Sequence, residues 1–181
     1  QYTQASRELD ARVASAAERI GIVRDALAGT CAYVSADDPR GRYKDYGYHV
    51  IGYLREREDG VQESYVYLDF DDEGTLTDVS YCTEVDVNAT LEESLDQAMR
   101  DIAELGAALE GLDVPTSNAG LLAVPRVPDD FREAFLAGSP YESIRTYSDD
   151  GPVKTSCSFD PEPEAEFDQY THPSIRVSLR T

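Results

Sequence analysis

Few residues in this sequence have the type and spacing to do chemistry. The closest approach is Asp69–Thr77, DFDDEGTLT. It sets acids at positions one, three and five of a calcium-type loop, glycine at six and an apolar residue at eight. The twelfth position is Ser80, where a bidentate glutamate is needed, and the flanks read as strands where helices are required. The stretch is read as an acidic β-turn, and no metal ligand is assigned.

A Ser-His-Asp or Cys-His device needs a histidine, and the chain has two. His49 sits inside a tyrosine-rich strand and His172 precedes Pro173, with no glycine-framed serine or cysteine near either. There is no glycine-rich phosphate loop and no dinucleotide fingerprint. No catalytic residue and no cofactor are therefore assigned, and the chain is not expected to be an enzyme. Cys31, Cys82 and Cys157 lack CxxC spacing. One disulfide with one free thiol is expected, with Cys31–Cys82 narrowly preferred over Cys82–Cys157; three buried thiols are the alternative.

Tyrosine is the residue type that stands out. Of twelve, seven lie between Tyr43 and Tyr81. Tyrosine buries a large ring while keeping a polar tip, which suits protein interfaces. Tyr46, Tyr48, Tyr53, Tyr65 and Tyr67 are taken as the candidate contact residues.

These residues must be positioned by a β-meander. Tyr48–Glu56, Glu63–Asp71 and Thr75–Val85 read as three strands, joined at Asp59-Gly60 and Asp72-Glu73-Gly74. The third alternates, with Thr77, Val79, Tyr81, Thr83 and Val85 on one face. The first two are apolar on both faces, so a helix on one side leaves the other to a partner protein or to the second half of the chain. Ahead of them, residues 6–28 carry a stripe of Leu9, Val13, Ala16, Ile20, Val23 and Leu27, which predicts a helix ending at an αL Gly29. A coiled-coil seam is the alternative use of that stripe. Cys31–Ser35 is a short strand candidate.

Thr90 and Glu93 make a capping box that opens a second helix, running to about Leu112. Beyond it the spacing predicts a short strand at Leu121–Val124, a brief helix from Pro128-Asp129 to Gly138, a hairpin of Tyr141–Tyr147 with Val153–Phe159, and a closing strand Ser174–Arg180. Helix, short strand, hairpin and final strand thus occur twice. The fold class is α+β, with a helix-plus-antiparallel-sheet half over 1–87 and another over 88–181, either separate or fused. In outline this is similar to cystatin-like or PepSY-like modules in tandem, with each helix packed on a meander.

Charge narrows the function. With 36 acidic against 16 basic residues the formal charge is -20, which repels phosphate backbones and anionic lipid headgroups. Nucleic acid is excluded as a partner. No run of about 18 apolar residues occurs, so membrane association is expected only through a segment upstream of Gln1. The missing initiator methionine reads as a removed leader or an excised fragment. The expectation is a non-enzymatic extracytoplasmic, periplasmic or cell-surface module that acts by protein–protein contact in a cell-envelope assembly. The alternative is a cytoplasmic acidic inhibitor or immunity-type protein that blocks a basic site on its partner.

Overall fold

The computed structural model describes residues 3–41, 47–56, 62–85, 89–138, 143–148, 153–161 and 173–180. Helix α1 (Gln4–Ala28) leads into β1 (Tyr33–Ala36), β2 (Tyr48–Glu56), β3 (Gln62–Phe70) and β4 (Leu76–Glu84). Helices α2 (Leu91–Leu109) and α3 (Asp129–Ala137) follow, then β5 (Ile144–Ser148), β6 (Lys154–Asp160) and β7 (Ser174–Arg180). The protein is α+β, and the seven strands of the described residues join one antiparallel sheet in the order β1-β2-β3-β4-β7-β6-β5.

The apolar stripe of α1 lies on this sheet. Ala16, Ile20, Val23 and Leu27 are buried over β1 and β2, so the stripe serves the core and not a coiled coil. Leu9 and Val13 on the same stripe are half-buried. Gly29 closes the helix in the αR region (φ -75°), not the αL conformation expected; the last turn tightens there, with the Thr30 and Cys31 N–H groups both donating to the Leu27 carbonyl at 3.0 and 2.7 Å. The β3–β4 turn docks against the same helix. Gly74, at φ +80°, brings its backbone so close that an added Cβ would sit 2.7 Å from Ala16 Cα. Beside it Arg19 Nη1 donates to the Glu73 carbonyl at 2.6 Å.

Helix α2 opens on the expected capping box. The Glu93 N–H donates to Thr90 Oγ1 at 3.1 Å and the Thr90 N–H to Glu93 Oε2 at 3.3 Å. It covers β3 and β4 instead of the strands that follow it in the chain, while α3 packs against β5. A single apolar core runs beneath all three helices, from Ala16 and Leu27 through Val66, Val79 and Ile102 to Phe135, Phe159 and Val177. A buried polar cluster pins α2 to the β2–β3 ribbon. Asp101 accepts from Arg55 Nη2, from Ser64 Oγ at 2.8 Å and from Gln97 Nε2 at 2.9 Å.

Two local expectations are corrected. Leu121–Val124 is a turn and not a strand; Leu121 is buried as an anchor, and the nearby chain contributes only an isolated bridge between Leu76 and Thr116. Thr77 does not share the core face of β4. A register shift at Asp69/Phe70 pairs Phe70 with Leu76, so Leu76 fills the core, and Thr77 Oγ1 donates to the Asp69 carbonyl.

Candidate interaction surface

All three helices lie on one face of the sheet, and among the described residues no helix lies on the other. Strand pairing puts side chains of that open face into rows across the strands. One row reads Tyr33, Tyr53, Tyr65, Cys82, Arg176, Ser158 and Arg145, from β1 to β5. The next reads Ser35, Ile51, Tyr67, Ser80, Ser178, Ser156 and Tyr147. A third, from β2 to β6, reads His49, Asp69, Asp78, Arg180 and Lys154.

The β1–β3 end of the face is aromatic. Tyr33 and Tyr53 have ring centroids 5.8 Å apart, Tyr53 and Tyr65 5.6 Å, and His49 stacks on Tyr67 at 5.3 Å. Tyr33 is 53% exposed. His49 is held from both sides: its Nδ1 lies 3.1 Å from Asp69 Oδ1, and its backbone N–H donates to Asp37 Oδ2 at 2.8 Å. The β5–β7 end is mainly cationic, carrying Arg145, Lys154, Arg176 and Arg180, all exposed, with one exposed acid, Asp160, in the row beyond Arg176.

Between the two ends lies a depression of about 380 Å³ lined by Tyr65, Tyr67, Asp69, Ser80, Cys82 and Arg176. Burial pushes the Tyr65 hydroxyl up to about 12, helped by its contact with Cys82. Burial also raises Tyr67 to about 12, and the neighbouring Asp69 carboxylate adds to the shift. Both phenols are therefore neutral hydrogen-bond donors at physiological pH. They can orient a polar partner, but neither is poised as a base.

Of the five tyrosines expected at a contact surface, the sheet brings Tyr53, Tyr65 and Tyr67 together. Tyr48 goes to the opposite, helix-covered face and is only 2% exposed. Tyr46 lies outside the described residues. Tyr33, Ile51 and His49 were missed, although the period of two from Tyr53 picks out Ile51 and His49 directly. The four basic residues were missed because nothing local shows β7 lying beside β4.

The cysteines are free, and the expected bridge is corrected. Cys31 packs on the helix side, and Cys157 belongs to the core beneath the helices. Cys82 faces the other way, beside Tyr65 and Arg176. The sheet therefore separates Cys82 from both of its proposed partners.

The acidic Asp69–Thr77 stretch ends β3, turns over residues 71–75 and opens β4, and the turn's carboxylate is already used: Asp71 Oδ1 accepts from the N–H groups of Glu73 and Thr75, each at 2.9 Å. Among the described residues no three His, Cys, Asp or Glu side chains converge as metal ligands. Beside this turn, Asp69, Asp71, Asp72 and Asp78 border a second, open depression of about 520 Å³. No helix of the described residues is long and apolar enough to cross a membrane. Comparison with known proteins finds no matching family model, no similar curated protein and no similar solved structure.

Proposed function

We propose that this chain is a non-enzymatic contact module of a cell-envelope assembly, working outside the cytoplasm through the open face of its sheet. The supporting observation is the aromatic row Tyr33–Tyr53–Tyr65, backed by Ile51, Tyr67 and His49, on the face opposite the helices. Rigid aromatic side chains on a strand scaffold lose little conformational entropy when a protein partner covers them. The division into two helix-plus-sheet halves, cystatin- or PepSY-like in outline, belongs to this reading. Its support is the strand order, which runs outward from the β4–β7 pair as β3, β2 on one side and β6, β5 on the other.

The test is a photo-crosslinking amino acid placed at Tyr53 and Tyr67 in cells, with Glu18 on the exposed side of α1 as the control site. Adducts to an envelope protein from positions 53 and 67, absent at 18, are expected. No adduct at either position, or fractionation of the protein with the cytosol, overturns the proposal.

The depression bordered by Asp69, Asp71, Asp72 and Asp78 favours a second reading, an acidic inhibitor seating a basic patch of its target. Association through that end would weaken steeply with added salt and be lost with Asp71→Asn/Asp72→Asn, leaving the Tyr53 and Tyr67 positions without effect.

A further inference from the structure

Across the three rows named above, the open face carries its charges in two separated blocks; the next row, Glu84, Ser174 and Asp160, is acidic on both sides of the boundary and lies beyond them. Asp69 and Asp78 stand on β3 and β4, with Asp37 bonded to His49 beyond them; Arg176 and Arg180 stand on β7, with Lys154 and Arg145 on β6 and β5. The boundary runs between β4 and β7. An isologous two-fold contact requires a patch that complements itself, and a face split this way does so about an axis parallel to the strands along that boundary. Rotation about the axis keeps each row in register and lays β4 over β7, β3 over β6 and β2 over β5 of the other molecule.

We infer that the open face mates with the same face of a second copy of this chain. The inference rests on the contact-module reading above and names its partner. In the charged row, Asp78 meets Arg180 of the second copy and Asp69 meets Lys154 of the second copy. In the aromatic row, Tyr53 meets Arg145 of the second copy, a cation–π pairing. In the row between, Ile51 meets Tyr147 of the second copy, and Tyr147 is 65% exposed in the single chain. Arg176 of the second copy falls over Cys82, where the 380 Å³ depression has room for its long side chain. Six strands spaced about 4.8 Å apart and three rows deep cover roughly 600 Å² on each copy, or roughly 1,200 Å² in all, at the lower bound for a specific interface. Two chains of charge -20 repel at long range, so the contact needs screening salt.

Sedimentation of the purified chain at 0.15 M NaCl tests this, using Asp69→Lys and Lys154→Asp. The wild type is expected to be a reversible dimer that weakens when salt is lowered. Each variant alone sets like charges together twice per dimer and should weaken association by roughly tenfold or more. Mixing the two variants should restore it as a heterodimer, because each unlike pair then forms across the interface. Within one chain these residues lie on β3 and β6, with β4 and β7 between them, so no contact inside the chain could produce that rescue. Circular dichroism melts establish that both variants fold. A wild type that stays monomeric at high micromolar concentration overturns the inference, as does a dimer indifferent to both variants or a mixture that fails to re-associate. A monomer whose Tyr53 and Tyr67 still crosslink to another envelope protein sinks self-mating and leaves the contact-module reading standing.

Discussion

Cys31 and Cys82 stand on opposite faces of the sheet, three strands apart. Cys31 Sγ packs against Gly52 and Leu27 under α1, while Cys82 is paired with Tyr65 and Arg176 on the open side. A disulfide needs Cβ atoms about 3.8 Å apart, which a pleated sheet does not allow across its own thickness and three strand spacings. Denatured, unreduced protein should therefore titrate three thiols, and reducing agent should leave its melting temperature unchanged.

The closeness of Cys31 to the β2 backbone makes Gly52 a sensitive position. A Cβ there would lie 2.9 Å from Cys31 Sγ and 3.1 Å from Leu27 Cδ1. Gly52→Ala is expected to destabilise by about 1–3 kcal/mol through overpacking. Pairing it with Cys31→Ala should recover part of that loss in a denaturant titration. Full additivity of the two changes would count against this contact as the cause.

Asp101 is the polar link between α2 and the β2–β3 ribbon. Asp101→Ala leaves Ser64 buried without its acceptor and should cost about 1–3 kcal/mol. Arg55 is 45% exposed and can turn to water, which keeps the loss below that of a fully buried ion pair. Urea unfolding measures it, and Arg55→Ala should be the milder of the two.

At the start of α2, Thr90→Ala removes the acceptor for the Glu93 N–H and should cost about 1 kcal/mol. Thr90→Asn should retain most of the stability. Equal losses from both substitutions would show that the cap contributes nothing.

Alkaline stability follows from the half-buried Cys31 thiol and the buried Cys157 thiol. Burial raises Cys31 to about 11, with Glu104 adding to it, and Cys157 to about 12, with Asp130 adding to it. The ordinary value is 9.0 for both, so above that pH the unfolded chain loses these protons before the folded one does. Their stabilising effect is complete below pH 9 and is lost as pH rises through 11 and 12. The melting temperature should fall over that window, and Cys157→Ala should flatten the fall. In native protein at pH 8, both thiols should alkylate far more slowly than after denaturation.

Local features of the chain were enough to place most of its elements. The stripe from Ala16 to Leu27, the Thr90–Glu93 box, the glycine turn before β4 and the alternation of Ile175, Val177 and Leu179 each depend on neighbours in sequence, and each stands where its period placed it. Leu121–Val124 misled because four apolar residues suit a buried turn as well as a strand. What only the tertiary structure decided is the choice of face and of neighbour. Strands β2 and β3 are apolar on both sides, so their pattern cannot say which side receives the helices; that choice sends Tyr48 into the core and Tyr53, Tyr65 and Tyr67 to the open face. The pairing of β4 with β7 joins residues about a hundred positions apart, as in the Ser80–Ser178 hydrogen bond, and no local period encodes it. That pairing sets Asp78 beside Arg180 and draws the line between the acidic and basic blocks, because strand order follows from which edge is left unpaired once helices and core have closed around the sheet.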